Sequence, residues 1–111
     1  MNVVILKGTL SRPAEVRDLP SGDTLVAYEV TTRREGEKAD TVPVTWAGAH
    51  DKALFDVGEE VVVTGRVRRR YFRAGGATQS RTEVVAAAVV RAAESKRAQR
   101  AVDEALGEVA G

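Results

Sequence analysis

Five short stretches rich in β-branched residues constrain the fold of this chain more than any other feature. They cover residues 3–10, 24–34, 41–48, 60–72 and 80–90, and turn or loop signals separate them, among them a flexible loop predicted at residues 74–78. In the second stretch Val26, Tyr28 and Val30 alternate with polar residues, which predicts a half-buried strand with Tyr28 in the core. Gly8, inside the first stretch, predicts a bulge or a close backbone approach. These patterns indicate a mostly β protein with short strands.

Residues 49–60, between the third and fourth stretches, predict a short helix that ends near Gly58. Five strands with one helix between strands 3 and 4 is the order of the OB-fold, a Greek-key barrel. We therefore predict an all-β, five-stranded OB-fold barrel over residues 1–91. In residues 92–111 the apolar side chains recur at helical spacing. This C-terminal tail forms either a packed or interface helix, which we favour, or a partly disordered segment.

Composition argues against several functional classes. The 111 residues suit one barrel plus the tail, and there is no cysteine for a disulfide or a thiolate metal site. The longest apolar run, residues 84–90, is far shorter than the roughly 20 residues of a membrane helix. His50 is the only histidine, and no nucleophile or phosphate-loop motif is present. We expect a cytoplasmic protein that is no enzyme, has no cofactor, metal or small-molecule substrate and does not bind membranes.

Positive charge is concentrated in one part of the chain. Residues 61–91 hold seven arginines and one acidic residue, although the net charge of the whole chain is only +1. Within GRVRRRYF, residues 65–72, strand alternation places Arg66, Arg68, Arg70 and Phe72 on the face opposite the apolar one. Arginines beside an exposed ring suit single-stranded nucleic acid, since they bind phosphates and the ring stacks on bases. The alternative is a solvated face whose arginines pair with surface acids and whose rings cap the barrel.

Four stretches in order resemble the bacterial single-stranded DNA-binding protein family. They are MNVVILKGTL, AEVRDLPSGDTLVAYEVTTRR, GRVRRRYF and RTEVV, and the similarity covers roughly residues 1–90. The resemblance implies an OB barrel that binds single-stranded DNA with little sequence specificity and protects it during replication, recombination or repair. It also implies a homo-oligomer, expected as a tetramer with a dimer as the other possibility. RNA binding stays open, because stacking and phosphate contacts do not distinguish the sugars.

The resemblance also implies which residues contact the strand. Trp46 and Phe72 fall where the family has stacking aromatics, although alternation alone, which Trp46 shares with Val42 and Val44, favours the core for Trp46. The predicted single-strand-binding residues are Trp46, Phe72, Arg66, Arg68, Arg70, Arg33, Arg34 and Arg73.

The chain also departs from the family pattern. The loop at residues 34–40 carries no tryptophan, and the acidic, apolar-tipped C-terminus of the family is missing. We expect a short form that does not recruit replication and repair enzymes through such a tip. An alternative is a primosomal-type OB module that binds a replication protein as well as single strands.

Overall fold

The computed structural model describes residues 1–48 and 55–110 of the chain. Its strands are β1 (Val4–Leu10), β2 (Glu15–Asp18), β3 (Thr24–Thr32), β4 (Asp40–Ala47), β5 (Glu60–Ala74) and β6 (Ala77–Arg91), and they precede one helix, α1 (Ser95–Ala110). The six strands form one sheet in the order β1-β5-β6-β4-β3-β2. β1 also pairs with β3 at Thr9–Thr31 and Leu10–Val30, and this pairing closes the sheet into a barrel. All pairings are antiparallel except the one between β4 and β6.

The barrel interior is filled by side chains from the apolar faces of the strands, as the alternation in β3 predicts. Val26, Tyr28 and Val30 are all buried, and burial raises the pKa of the Tyr28 phenol because it disfavours the phenolate. The Phe55 ring lies 6.2 Å from the Tyr28 ring. The other buried members of this core are Leu10, Val44, Val61, Val63, Val84, Ala86 and Val89.

Gly8 lies at a position of the sheet where a side chain does not fit, and Pro43 lies at one where a backbone N–H is not needed. A Cβ at Gly8 would overlap the carbonyl oxygen of Thr31, which confirms a close backbone approach where β1 crosses β3. Pro43 is paired with Glu29 of β3 and precedes the first of the two residues through which β4 pairs with β6. Its missing N–H is therefore not needed in that ladder.

The predicted helix at residues 49–60 is wrong where the structure describes it. Residues 49–54 lie outside the described residues, and residues 55–59 form a turn that leads into β5. Gly58 has a φ of 88° and donates its N–H to the carbonyl of Leu10 at 2.8 Å, so the chain joins the end of β1 here. The helix of the described residues is C-terminal. Counting β2 as a strand of its own gives six strands where five were predicted.

The tail forms a packed helix, which was the favoured of its two interpretations. Ala98 and Ala101 of α1 pack on Val62 and Val90, which belong to the face of β5 and β6 away from the barrel core. Small alanine side chains allow the helix to approach the sheet closely. None of the helices in the described residues is long and apolar enough to cross a membrane.

Candidate nucleic-acid interface

The second half of β5 and the first half of β6 extend beyond the barrel as a hairpin. β5 pairs with β6 along almost its whole length, whereas it pairs with β1 only as far as Gly65. Beyond Gly65 the two strands therefore form a hairpin of their own. The side chain of Asn2 brackets the backbone of Val67 with two hydrogen bonds, of 2.7 and 2.8 Å. Gly75 and Gly76 turn the chain with φ values of 60° and 79°, as a two-residue hairpin of the type I′ class requires. The predicted flexible loop at 74–78 is thus a tight turn, and both strands are longer than predicted.

This arginine hairpin, residues 66–82, carries six arginines and no acidic residue. Its residues in β5 from Arg66 to Arg73 are all exposed, whereas residues 61–64 of the same strand are buried. A ladder of backbone hydrogen bonds holds like charges close together here, which costs energy in the absence of an anion. A hairpin of this composition is therefore a candidate surface for a polyanion.

Arg66, Arg68, Arg70 and Phe72 share one face of the hairpin, as the sequence predicts. The residues opposite them in β6 are Val85, Glu83, Arg81 and Gln79. The guanidinium carbon of Arg70 lies 5.8 Å from the centre of the Phe72 ring, within the range of a cation–π contact. Phe72 is 38% exposed, so part of its surface remains accessible to a base. We call this the groove face.

Glu83 lies at the root of the hairpin and binds two of these arginines. Its side chain is only 2% exposed, and one oxygen, Oε1, accepts a hydrogen bond from Arg68 Nη2 at 3.3 Å and forms an ion pair with Arg70 Nε at 3.2 Å. The alternative interpretation, in which arginines pair with acids, is therefore right for this pair. Each guanidinium has five N–H donors, and both side chains are nearly half exposed, so donors remain for phosphate.

The groove face continues into a groove of about 430 Å³ on the outside of the barrel. Its floor includes Ala27, Pro43 and Thr45 of β3 and β4, whose positions alternate with those of the core residues. One wall comes from residues 12–17 and the other from the root of the hairpin. The outer face of these two strands, between these two connections, is where OB-folds bind oligonucleotides.

The groove is lined by four arginines and three glutamates, and they are largely paired with each other. Arg17 contacts Glu15 at 3.0 Å and Arg81 contacts Glu29 at 3.7 Å, in addition to the pairs of Glu83. Arg12 is the groove arginine that makes no ion pair within the described parts of the chain. Phosphates that enter the groove must compete with carboxylates, which favours moderate binding that salt weakens.

The remaining predicted arginines lie outside the groove. Arg66 lines a second cavity of about 290 Å³, between α1 and β6, that also contains Glu104 and Glu108. Arg33 and Arg34 are exposed directly after β3. Arg73 lies on the other face of the hairpin and donates to the carbonyl of Gly76 at 3.0 Å. Of the predicted residues, the structure brings Arg68, Arg70 and Phe72 together on the groove face, and Arg70 lines the groove itself.

Trp46 lies on the core side of β4 and away from Phe72. It pairs with Val26, a buried residue, and packs against the barrel core while keeping part of its surface exposed. The parallel register of Val44 with Val84 puts Trp46 level with Ala86, whereas Phe72 pairs with Gln79. This is seven residues along β6, or roughly 23 Å. The two rings cannot stack on the same base, and a stacking role for Trp46 stays a prediction.

Sequence reasoning did not single out Arg12, Arg17, Arg81 and Glu83 as site residues. Alternation along β6 already puts Arg81 and Glu83 on one face, but only the register with β5 shows that this face meets Arg68 and Arg70. Arg12 and Arg17 become part of the groove because β2 folds back on β3. Among the described residues there is no group of three or more His, Cys, Asp or Glu side chains that could hold a metal ion.

Comparison with known proteins agrees with this geometry. Residues 1–92 match the Single-strand binding protein family. The chain belongs to this family. As a member it binds single-stranded DNA, and the proteins of this family are non-enzymatic DNA-binding proteins.

Solved structures give the same fold. In all, 156 chains of known structure match. One is the Plasmodium falciparum SSB in complex with ssDNA, at a TM-score of 0.69 and 16% identity over 82% of this chain and 94% of that one. At this identity the likeness concerns the fold. No curated protein matches the chain.

Proposed function

We propose that this protein binds single-stranded DNA with little sequence specificity along the outer groove and the groove face of the arginine hairpin. The observation that carries the proposal is the arrangement of Arg68, Arg70 and Phe72 at the groove edge, in a chain of the single-strand binding family. Guanidinium groups bind phosphates, and the ring offers a stacking surface to any base.

The low sequence specificity follows from the kinds of contact available. Stacking tolerates every base because every base has a flat face, and phosphate contacts carry no sequence information. Duplex DNA fits poorly, because its bases are paired and cannot reach the Phe72 ring. Each phosphate that an arginine or lysine neutralises releases counterions from the single strand and makes the slope of log K against log salt more negative by about 0.7, so binding weakens with salt.

Membership of the family supports a wider role. The protein protects single strands during replication, recombination or repair, in the cytoplasm and associated with the nucleoid. It acts as a homo-oligomer, a tetramer or a dimer, without cofactor and without catalysis. Arg33, Arg34, Arg66, Arg73 and Trp46 are further strand contacts in this proposal, at positions beyond the groove.

A titration with single-stranded and duplex DNA tests the proposal. The anisotropy of a labelled oligo(dT) reports binding, and the fluorescence of the single tryptophan is followed in parallel with unlabelled strand, both at low and high salt. We expect binding of the single strand that salt weakens, and much weaker binding of a matched duplex.

The two signals separate the function from the role of Trp46. Quenching of Trp46 places its ring at the bound strand, whereas anisotropy without quenching keeps the function and leaves this ring a core residue. The proposal fails if no single strand binds at low salt. A barrel that binds a protein partner, as in the primosomal alternative, then becomes the better account.

A further inference from the structure

The face of the arginine hairpin opposite the groove face has its own pattern. Val67, Arg69, Tyr71 and Arg73 share this face, because side chains alternate along β5. We call it the second face. Tyr71 is 67% exposed, the most open aromatic ring among the described residues, and Val67 is 43% exposed. An exposed ring between two arginines repeats, on the other side of the sheet, the chemistry of the groove face.

The residues opposite the second face carry hydroxyl groups. Arg69 pairs with Thr82, Tyr71 with Ser80, and Arg73 with Thr78. Directly opposite residues of an antiparallel pair lie on the same face, about 4.5–5.5 Å apart at Cβ. The second face therefore combines two guanidinium groups, three hydroxyls and a ring, all of which can contact a nucleic-acid strand. Hydroxyl groups are common donors to phosphate oxygens.

The two faces differ most in how their charge is balanced. On the groove face Glu83 neutralises part of the charge of Arg68 and Arg70. On the second face neither arginine has a carboxylate partner within residues 1–48 and 55–110, and Arg73 donates only to a turn carbonyl. The uncompensated charge of the hairpin thus lies on the side that is turned away from the groove.

We propose that the second face is a further binding surface for single-stranded DNA, and that a strand held in the groove continues around the hairpin onto it. The faces are separated by the thickness of one two-stranded sheet. At the tip, Gly75 and Gly76 carry no side chain that would obstruct a strand passing over it. This inference rests on the proposed function, since it extends the same strand. An acidic protein segment is the other polyanion that the charge would suit, but it would not use the Tyr71 ring for stacking.

Dependence on strand length tests the proposal. Oligo(dT) of about 6 and about 16 nucleotides lies near the two ends of the range that one OB-fold covers. The double variant Arg69→Gln/Tyr71→Ser is compared with the unaltered protein and with Arg100→Gln, which removes the same charge from the exposed surface of α1. Thermal unfolding first shows that all three are folded.

We expect the double variant to bind the longer strand roughly 5- to 150-fold more weakly, the range for the stacking of one base. The slope of log K against log salt should be shallower by about 0.7 for each phosphate that the variant no longer neutralises. The shorter strand binds to all three proteins equally.

Retained binding of both lengths overturns the inference. An equal loss for both lengths overturns it too, because it would make the second face part of the groove site. Loss of polyglutamate binding alone would assign the face to an acidic protein. Failure of the unaltered protein to bind either strand would instead refute the proposed function.

Discussion

Strand β5 changes character at Gly65, and its two halves show how stability and binding are divided in this molecule. Val61 and Val63, before Gly65, are fully buried in the barrel and are covered by β1 and β6. Each such side chain contributes about 1.5–3 kcal/mol to folding by leaving water. From Arg66 onward the strand has lost β1 as a neighbour, and its side chains are exposed on both faces.

The difference shows that one continuous strand can serve two purposes with separate sets of residues. The buried half stabilises the barrel and holds the hairpin at a fixed angle. The exposed half contributes little to the core, so its residues can be ones that bind the ligand without a loss of stability. Changes in the first half should therefore alter the free energy of unfolding, and changes in the second half should alter DNA affinity. Each prediction below tests this separation.

The largest effect on stability is expected at the junction itself. An added Cβ at Gly65 would overlap the carbonyl oxygen of Val85, and backbone on β6 cannot move away cheaply. This position also adjoins the register shift between β5 and β6. We expect Gly65→Ala to lower the free energy of unfolding by about 3 kcal/mol. Denaturant unfolding measures the change.

Gly107 is the matched control for this substitution. It lies in α1, and a Cβ there would meet no atom within 4 Å. Gly107→Ala should raise the stability by about 0.5–1 kcal/mol, because alanine loses less backbone freedom in a helix than glycine. Equal effects of the two changes would show that the close approach at Gly65 is not a constraint on the barrel.

The largest effect on binding is expected in the exposed half. Phe72→Ala removes the ring that Arg70 contacts and should weaken single-strand binding by about 1–3 kcal/mol. Its unfolding free energy should change little, because the ring is partly exposed and lies outside the barrel core. Anisotropy titration and denaturant unfolding give the two numbers. Val57→Ala, at an exposed apolar residue before β5, serves as control. A variant that loses stability but keeps its affinity would contradict the separation.

The limits of sequence-based prediction follow the same division. Alternation within one strand correctly assigned Tyr28 to the core, and it correctly separated Arg68 and Arg70 from Val61 and Val63. Local patterns could not show the partner across the sheet, so the pairing of these arginines with Glu83 was missed. The glycine pair was predicted as a loop because its turn geometry depends on the two strands that it joins. A helix was predicted before β5 from composition, whereas Gly58 turns the chain toward β1.

Glu83 of β6 is a buried acid opposite the exposed half of β5, and its charge sharpens the comparison. Glu83→Gln keeps the shape and an acceptor oxygen but removes the anion that competes with DNA for Arg68 and Arg70. We expect tighter binding. The slope of log K against log salt should be steeper by about 0.7 for each arginine that contacts a phosphate instead of Glu83. Stability should fall by about 1 kcal/mol, since both arginines are partly exposed and can be solvated. Weaker binding would instead show that Glu83 holds these arginines in position for the strand.

The smallest effect is expected at Glu59, which directly precedes β5 and is not among the residues that line the groove. Its Oε1 accepts the backbone N–H of Asp56 at 3.1 Å, and its Oε2 accepts from Arg91 Nε at 2.8 Å. The Asp56 N–H lowers the pKa of Glu59 most; desolvation opposes this shift, and Arg91 adds to it. Because the pKa is lower in the folded state, this carboxylate stabilises the protein at neutral pH, and the contribution is lost as the pH falls through the folded-state value.

Glu59→Gln should therefore reduce the melting temperature slightly at pH 7, and the difference in melting temperature from the unaltered protein should shrink in acid. Glu37→Gln, in the exposed loop after β3, is the control for the loss of one surface carboxylate. DNA affinity should not change, and a loss of affinity in Glu59→Gln would mean that the base of β5 and the hairpin are coupled.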